Sequence, residues 1–148
     1  MCGDVAIGRV LLCSCLLLAG CNPFTDAYPG PFRSANEVAV VSGRAQLIGQ
    51  PGYQDLSINS IDGERAIGGW RAPSNEVQIL PGSHSIGVVE ARAIESAESG
   101  EVFKDQAILR FKVIVGARYA LGYNPTTKEF MVVRIGLGPV PFERADAG

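Results

Sequence analysis

The clearest pattern along this chain has a period of two. Residues 107–115 read AILRFKVIV, with Ala107, Leu109, Phe111, Val113 and Val115 on one face and Ile108, Arg110, Lys112 and Ile114 on the other. Successive side chains of a strand point to opposite sides, so this alternation predicts a strand with one face on a core and one in water. Tyr119, Leu121 and Tyr123 alternate in the same way with Arg118, Ala120 and Gly122. Residues 124–129 (NPTTKE) then form a turn and residues 130–135 resume as a strand, which together predict a hairpin.

Upstream the same rhythm continues in shorter pieces. In residues 54–61 Leu56 and Ile58 alternate with Ser57 and Asn59, and the run meets Asp62-Gly63. That dipeptide is a tight-turn signal, because glycine tolerates a positive φ. Residues 76–80 make a short strand stopped by Pro81-Gly82, and residues 83–93 carry the sheet on with Ile86, Val88 and Glu90 on one side. Residues 37–47 predict the first strand, with a bend or bulge at Gly43. Residues 96–101 (SAESGE) read as a polar loop, and helical spacing is sustained nowhere, with at best one turn at 94–98. About seven short strands separated by turns predict an all-β fold, a single antiparallel β-sandwich.

The ends of the chain break the pattern. Residues 10–18 (VLLCSCLLL) are apolar, follow Arg9, and give way to small residues, which is the build of a secretory signal peptide. The run is too short for a transmembrane helix, which needs roughly 20 apolar residues. Leu18-Ala19-Gly20-Cys21 resembles, residue for residue, the lipobox of bacterial lipoproteins. The resemblance implies acylation of the Cys21 thiol, cleavage between Gly20 and Cys21, and a mature chain held on a membrane by its acyl chains, since two or more of these anchor stably. Cys2, Cys13 and Cys15 all lie in the part to be removed, which leaves Cys21 with no disulfide partner. In Gram-negative bacteria the neutral Asn22 after the cysteine implies sorting to the periplasmic face of the outer membrane.

The division expected is therefore a signal peptide at 1–20, a lipidated cysteine and flexible tether at 21–36, a sandwich at 37–135 and an irregular tail at 136–148. The tether reading rests on Pro23, Pro29, Gly30 and Pro31, and the tail reading on Gly136, Gly138, Pro139 and Pro141. The domain is long enough to fold without metals or disulfides. The formal net charge is −2 at pH 7, and no run of Lys or Arg occurs, so nucleic acid is not an expected partner.

Ile61-Asp62-Gly63, then Leu80-Pro81-Gly82-Ser83-His84-Ser85-Ile86-Gly87-Val88, then Val115-Gly116-Ala117-Arg118-Tyr119 stand in an order similar to the turn motifs of PEGA-like β-sandwich domains of bacterial envelope proteins. This likeness covers roughly residues 54–135 and is carried by turn chemistry, so it implies a fold more than an activity. It implies a mostly non-catalytic module.

Few residues carry chemistry. His84 is the only histidine, and without a nucleophile and an orienting acid it reads as a half-exposed structural residue. Asp62 and Glu64 flank a turn glycine and do not approach the oxygen density of a calcium loop. Trp70 and Arg71 follow Gly68-Gly69 and, with Tyr53, are candidate contacts for a glycan or peptide, although a large aromatic more often covers a core. Tyr119, Tyr123 and Phe130 are expected in the core. The expectation is a non-catalytic, membrane-anchored binding or scaffolding module that needs no cofactor or metal. Its expected partners are membrane lipid through Cys21 and an envelope protein or peptidoglycan. The alternatives are a ligand-binding domain and, last, a hydrolase using Asp55, Asp62 and His84.

Overall fold

The computed structural model, which describes residues 25–26, 33–65, 76–90 and 106–146, places the alternating segments in two sheets. The first sheet runs β1 (Thr25–Asp26), β5 (Glu76–Ile79), β2 (Ala39–Ser42), β8 (Arg118–Asn124), β9 (Glu129–Arg134) and β10 (Gly138–Pro139). The second runs β11 (Glu143–Asp146), β7 (Gln106–Val113), β6 (Gly82–Glu90), β3 (Leu56–Ile61) and β4 (Glu64–Arg65). Neighbours are antiparallel except β1 with β5 and β2 with β8, which are parallel. The fold is an all-β sandwich, as the alternation predicts.

The apolar faces meet in one core. Ala107, Leu109, Phe111 and Val113 of β7 are buried, while Arg110 and Lys112 on its other face are exposed. Tyr119 and Tyr123 of β8 are each 1% exposed and Phe130 of β9 is 8% exposed. Tyr123 stands opposite Phe130 in the ladder with ring centroids 4.7 Å apart, and Phe111 meets Tyr119 from the other sheet at 5.6 Å. Such aromatic pairs add about 0.5–1.5 kcal/mol beyond the area they bury. The predicted hairpin is β8 and β9, with the Asn124 side chain accepting from the N–H groups of Thr126 and Thr127.

Several details depart from the sequence reading. Val115 does not continue the core face of β7, because the chain turns after Val113 to enter the other sheet, and Val115 is 47% exposed. In β3 the register shifts between Ile58 and Ser60. Strict alternation from Leu56 and Ile58 would put Ile61 outside, and the extra residue at this bulge returns it to the core at 6% exposure.

The first strand is shorter than residues 37–47. It ends at Ser42, and a 3-10 turn, Ala45–Leu47, follows. Gly43 explains the stop: its carbonyl accepts from the Leu56 N–H at 2.6 Å, so the backbones touch as the chain leaves the first sheet.

Both ends of the domain also differ. Residues 136–148, read as an irregular tail, contribute β10 and β11. Each lies on a sheet edge, where one neighbour suffices, and an edge tolerates Pro139 and the polar sequence of β11 without the alternation that marks an inner strand. Within the stretch read as a tether, Thr25–Asp26 pairs with Val77 and Gln78 of β5. Residues 94–98 and 96–101 lie outside the described residues.

The contact at Gly43 gives a direct test. A Cβ built there would sit 1.9 Å from the Leu56 carbonyl oxygen, a backbone atom that no rotamer change can move. Gly43→Ala is expected to lower stability by about 1–3 kcal/mol, the usual cost of overpacking, read as a fall in the urea midpoint at unchanged m value.

Candidate functional site

Chemistry-bearing side chains gather where β3 ends and β6 begins. Ile61 pairs with Glu64, and between them Asp62 and Gly63 both take positive φ (52° and 83°), the backbone that a two-residue type I′ turn requires. The turn aims the Asp62 carboxylate at the neighbouring strand. Its Oδ1 accepts from the Ser85 N–H at 2.8 Å, and its Oδ2 lies 2.7 Å from His84 Nδ1. The other ring nitrogen, His84 Nε2, lies 2.8 Å from the Leu80 carbonyl oxygen. Both ring nitrogens face acceptors, so only the doubly protonated ring can donate to both, and the neutral ring donates to one.

This arrangement supplies two of the three members of a catalytic triad. An Asp–His pair becomes nucleophilic machinery when the far nitrogen meets a hydroxyl or thiol. Here that nitrogen meets a backbone carbonyl. The contacts make His84 a clasp that ties the β3–β4 turn to the start of β6 and to the end of β5. Asp55, the other carboxylate considered for hydrolysis, lies at the opposite end of the sandwich, where its Oδ1 accepts from the Ala45 N–H at 2.7 Å. Glu64 follows the same turn as Asp62 and is exposed.

Beside the clasp runs an open groove of about 520 Å³, lined by Ser83, His84, Ser85, Arg110, Phe111, Lys112, Pro141, Phe142 and Glu143. Ladder register explains the set. Ser83 stands opposite Lys112 and Ser85 opposite Arg110, while Glu143 of β11 stands opposite Arg110 on its other side. Phe142 packs partly against the core and forms an apolar wall. Two hydroxyls, two cations, the Glu143 carboxylate beside Arg110 and an aromatic wall suit a polar ligand built on an apolar or sugar-like body, with Lys112 the cation placed farther from that carboxylate. None of Arg110, Lys112, Phe142 and Glu143 stood out as a site residue in the sequence. The only signal was the alternating Arg-Phe-Lys of β7, and the third strand of the groove comes from the stretch that reads as a tail.

The residues named as ligand contacts are not brought together here. Tyr53 is half-buried, and its ring packs over Gly122 of β8 at the end away from the groove. Trp70 and Arg71 lie outside the described residues, as do Gly20 and Cys21. Among the described residues no group of three or more His, Cys, Asp and Glu side chains could hold a metal ion. No helix among them is long and apolar enough to cross a membrane.

No family model matches the chain, and neither the curated proteins nor the solved structures contain a match.

The clasp makes a pH-dependent prediction. Burial pushes the Asp62 carboxyl up, but the hydrogen bonds from Ser85 and His84 and the charge of His84 together hold it below the ordinary carboxylate value. A carboxylate lowered in the folded chain contributes stability that is fully present above the unfolded value, about pH 4, and is lost as pH falls through the folded value. Asp62→Asn keeps the shape and tolerates the positive φ. It should destabilise the domain at about pH 7 by under about 1 kcal/mol, because the Asp62 side chain is half exposed. Urea unfolding should show that difference shrinking as pH falls below the unfolded value and through the lowered folded value of the Asp62 carboxyl.

Proposed function

We propose that this protein is a non-catalytic, membrane-anchored envelope lipoprotein whose β-sandwich serves as a binding or scaffolding module. The observation that carries this reading is the Leu18-Ala19-Gly20-Cys21 motif, standing four residues before the first paired residue, Thr25, of one sandwich. A non-catalytic role is supported by the clasp, in which both ring nitrogens of the sole histidine face structural acceptors. The turn motifs that resemble PEGA-like domains agree with it. In a Gram-negative cell, Asn22 supports the periplasmic face of the outer membrane as the location.

Metabolic labelling with an alkynyl fatty acid tests the anchor. The wild-type protein is expected to take the label and to fractionate with membranes. Cys21→Ser is expected to lose the label, and equal labelling of the two would end the lipoprotein reading.

A second reading, ligand binding, gains support from the groove beside β6 and β7. Its cations and hydroxyls suit the carboxylates and sugars of peptidoglycan fragments. Titration with soluble muropeptides, followed by calorimetry, is expected to show binding that Arg110→Ala and Lys112→Ala each weaken severalfold. Tyr53→Ala, at the far end, should leave it unchanged. Heat changes indistinguishable from dilution would remove the groove as a muropeptide site.

A further inference from the structure

The ladder between β7 and β11 stops beside the groove, before β7 itself ends. β11 begins at Glu143, which stands opposite Arg110, whereas β7 runs on to Val113. Continuing the same register would set Pro141 opposite Lys112. A proline has no N–H to give to a ladder. The residue before it, Val140, already donates its N–H to the Val132 carbonyl of the first sheet at 2.8 Å. The chain therefore crosses between the sheets here, and the place opposite Lys112 is left without a strand.

Which way the Lys112 backbone points follows from β6. The Ser85 carbonyl accepts from the Asp62 N–H at 2.7 Å, and the Ser85 N–H donates to the Asp62 carboxylate at 2.8 Å. Both Ser85 groups therefore face β3. Along a strand, residues direct their N–H and C=O alternately to one neighbour and to the other. The register of β6 with β7 is unbroken, so Ser85 with Arg110 and Ser83 with Lys112 are both pairs that exchange no hydrogen bonds. The Lys112 N–H and C=O consequently face away from β6, toward the place that β11 does not reach. Among the described residues no backbone group bonds to them there.

Lys112 is exposed and lines the groove, so it offers an open donor and acceptor where a ligand has room. Unpaired strand backbone is a template for an added strand. In an antiparallel ladder one residue of that strand exchanges both bonds with Lys112, and its side chain stands about 5 Å from the Lys112 side chain. The Glu143 carboxylate is placed opposite Arg110, so the Lys112 cation calls for an acid from the ligand. Residues on either side of that acid turn to the other face of the sheet. There Phe142 packs against the core, and apolar side chains fit.

We propose that the groove binds an extended peptide as a short extra strand on β7, with an acidic residue hydrogen-bonded to the Lys112 backbone and an apolar residue on each side of it. This rests on the ligand-binding reading of the groove and names the part of the ligand that is recognised. The added strand is short, because Glu143 already holds the next pairing position at Arg110. Only the acidic residue bonds to β7, and the N–H groups of its two neighbours point away from it.

The test uses the full chain in detergent micelles and follows the anisotropy of a fluorescein-labelled peptide, Ala-Leu-Glu-Leu-Ala. Companion peptides carry a single N-methyl group on the Glu or on either Leu, or replace the Glu by Gln. The plain peptide is expected to bind, and methylation of the Glu nitrogen to weaken it about tenfold, the worth of a lost hydrogen bond. Methylation of either Leu should leave binding unchanged. The Gln peptide, and Lys112→Ala with the plain peptide, should each lose affinity severalfold, while the effect of the methyl group on Glu persists in Lys112→Ala. Binding indifferent to methylation of the Glu, or sensitive at a Leu instead, overturns the pairing with Lys112 and leaves the groove as a site. No anisotropy change, with muropeptide heats still weakened by Lys112→Ala, likewise overturns the pairing alone. Loss of both signals overturns the pairing and the groove reading together.

Discussion

The four residues between β7 and β8 set the geometry of the whole sandwich. β7 belongs to the second sheet and β8 to the first, so so short a passage forces the two sheets face to face along their centres. Phe111 and Tyr119, the aromatic residues nearest the passage on either side, fill the interior it creates, and the Tyr119 hydroxyl turns back to accept from the Ile114 backbone. A core aromatic thus has its polar end satisfied by the same connection that positions its ring. Outside, the same passage divides its side chains: Ala117 returns to the core at 7% exposure, while Ile114 and Val115 face solvent.

From that corner the rest of the molecule is assembled by pairing outward. The second sheet grows from β7 through β6 to β3, and the bulge in β3 keeps Ile61 inside while delivering Asp62 to a turn that faces His84. Core packing and the clasp are linked at this point, because without the extra residue the carboxylate would leave the strand on the other face. On the opposite side β11 closes the sandwich. Arg144 stands level with Leu109, lays its guanidinium 4.9 Å over the Phe130 ring of the first sheet, and so covers the margin between the sheets. That contact also sets Pro141 and Phe142 as one wall of the groove.

The parts of this fold legible in the sequence are those where the two faces of a strand meet different surroundings. β7, β8 and β9 have a wet face and a dry one, and their alternation reports it. β10 and β11 are edge strands in a stretch rich in glycine and proline, so neither composition nor period distinguishes them from a tail. The bulge in β3 is a change of register against a partner, and a single strand carries no record of its partner. The site was legible only in fragments for the same reason. Asp62 and His84 are each visible, but their contact is made across 22 residues of chain by a strand pairing, and the groove draws on three separate strands. Turn chemistry, local by nature, was the most readable feature.

The parallel pairing of β2 with β8 has a bearing on how the chain is made. The first long strand finds its central neighbour only after most of the sequence has followed it, and between them the chain must build nearly the whole second sheet. Contacts of such long range form slowly, since a large loop has to close before any ladder rewards it. The sandwich therefore cannot close until β8 has been made, and the strands between must wait as separate hairpins. Slow topology of this kind delays the final packing without the help of a destabilised core.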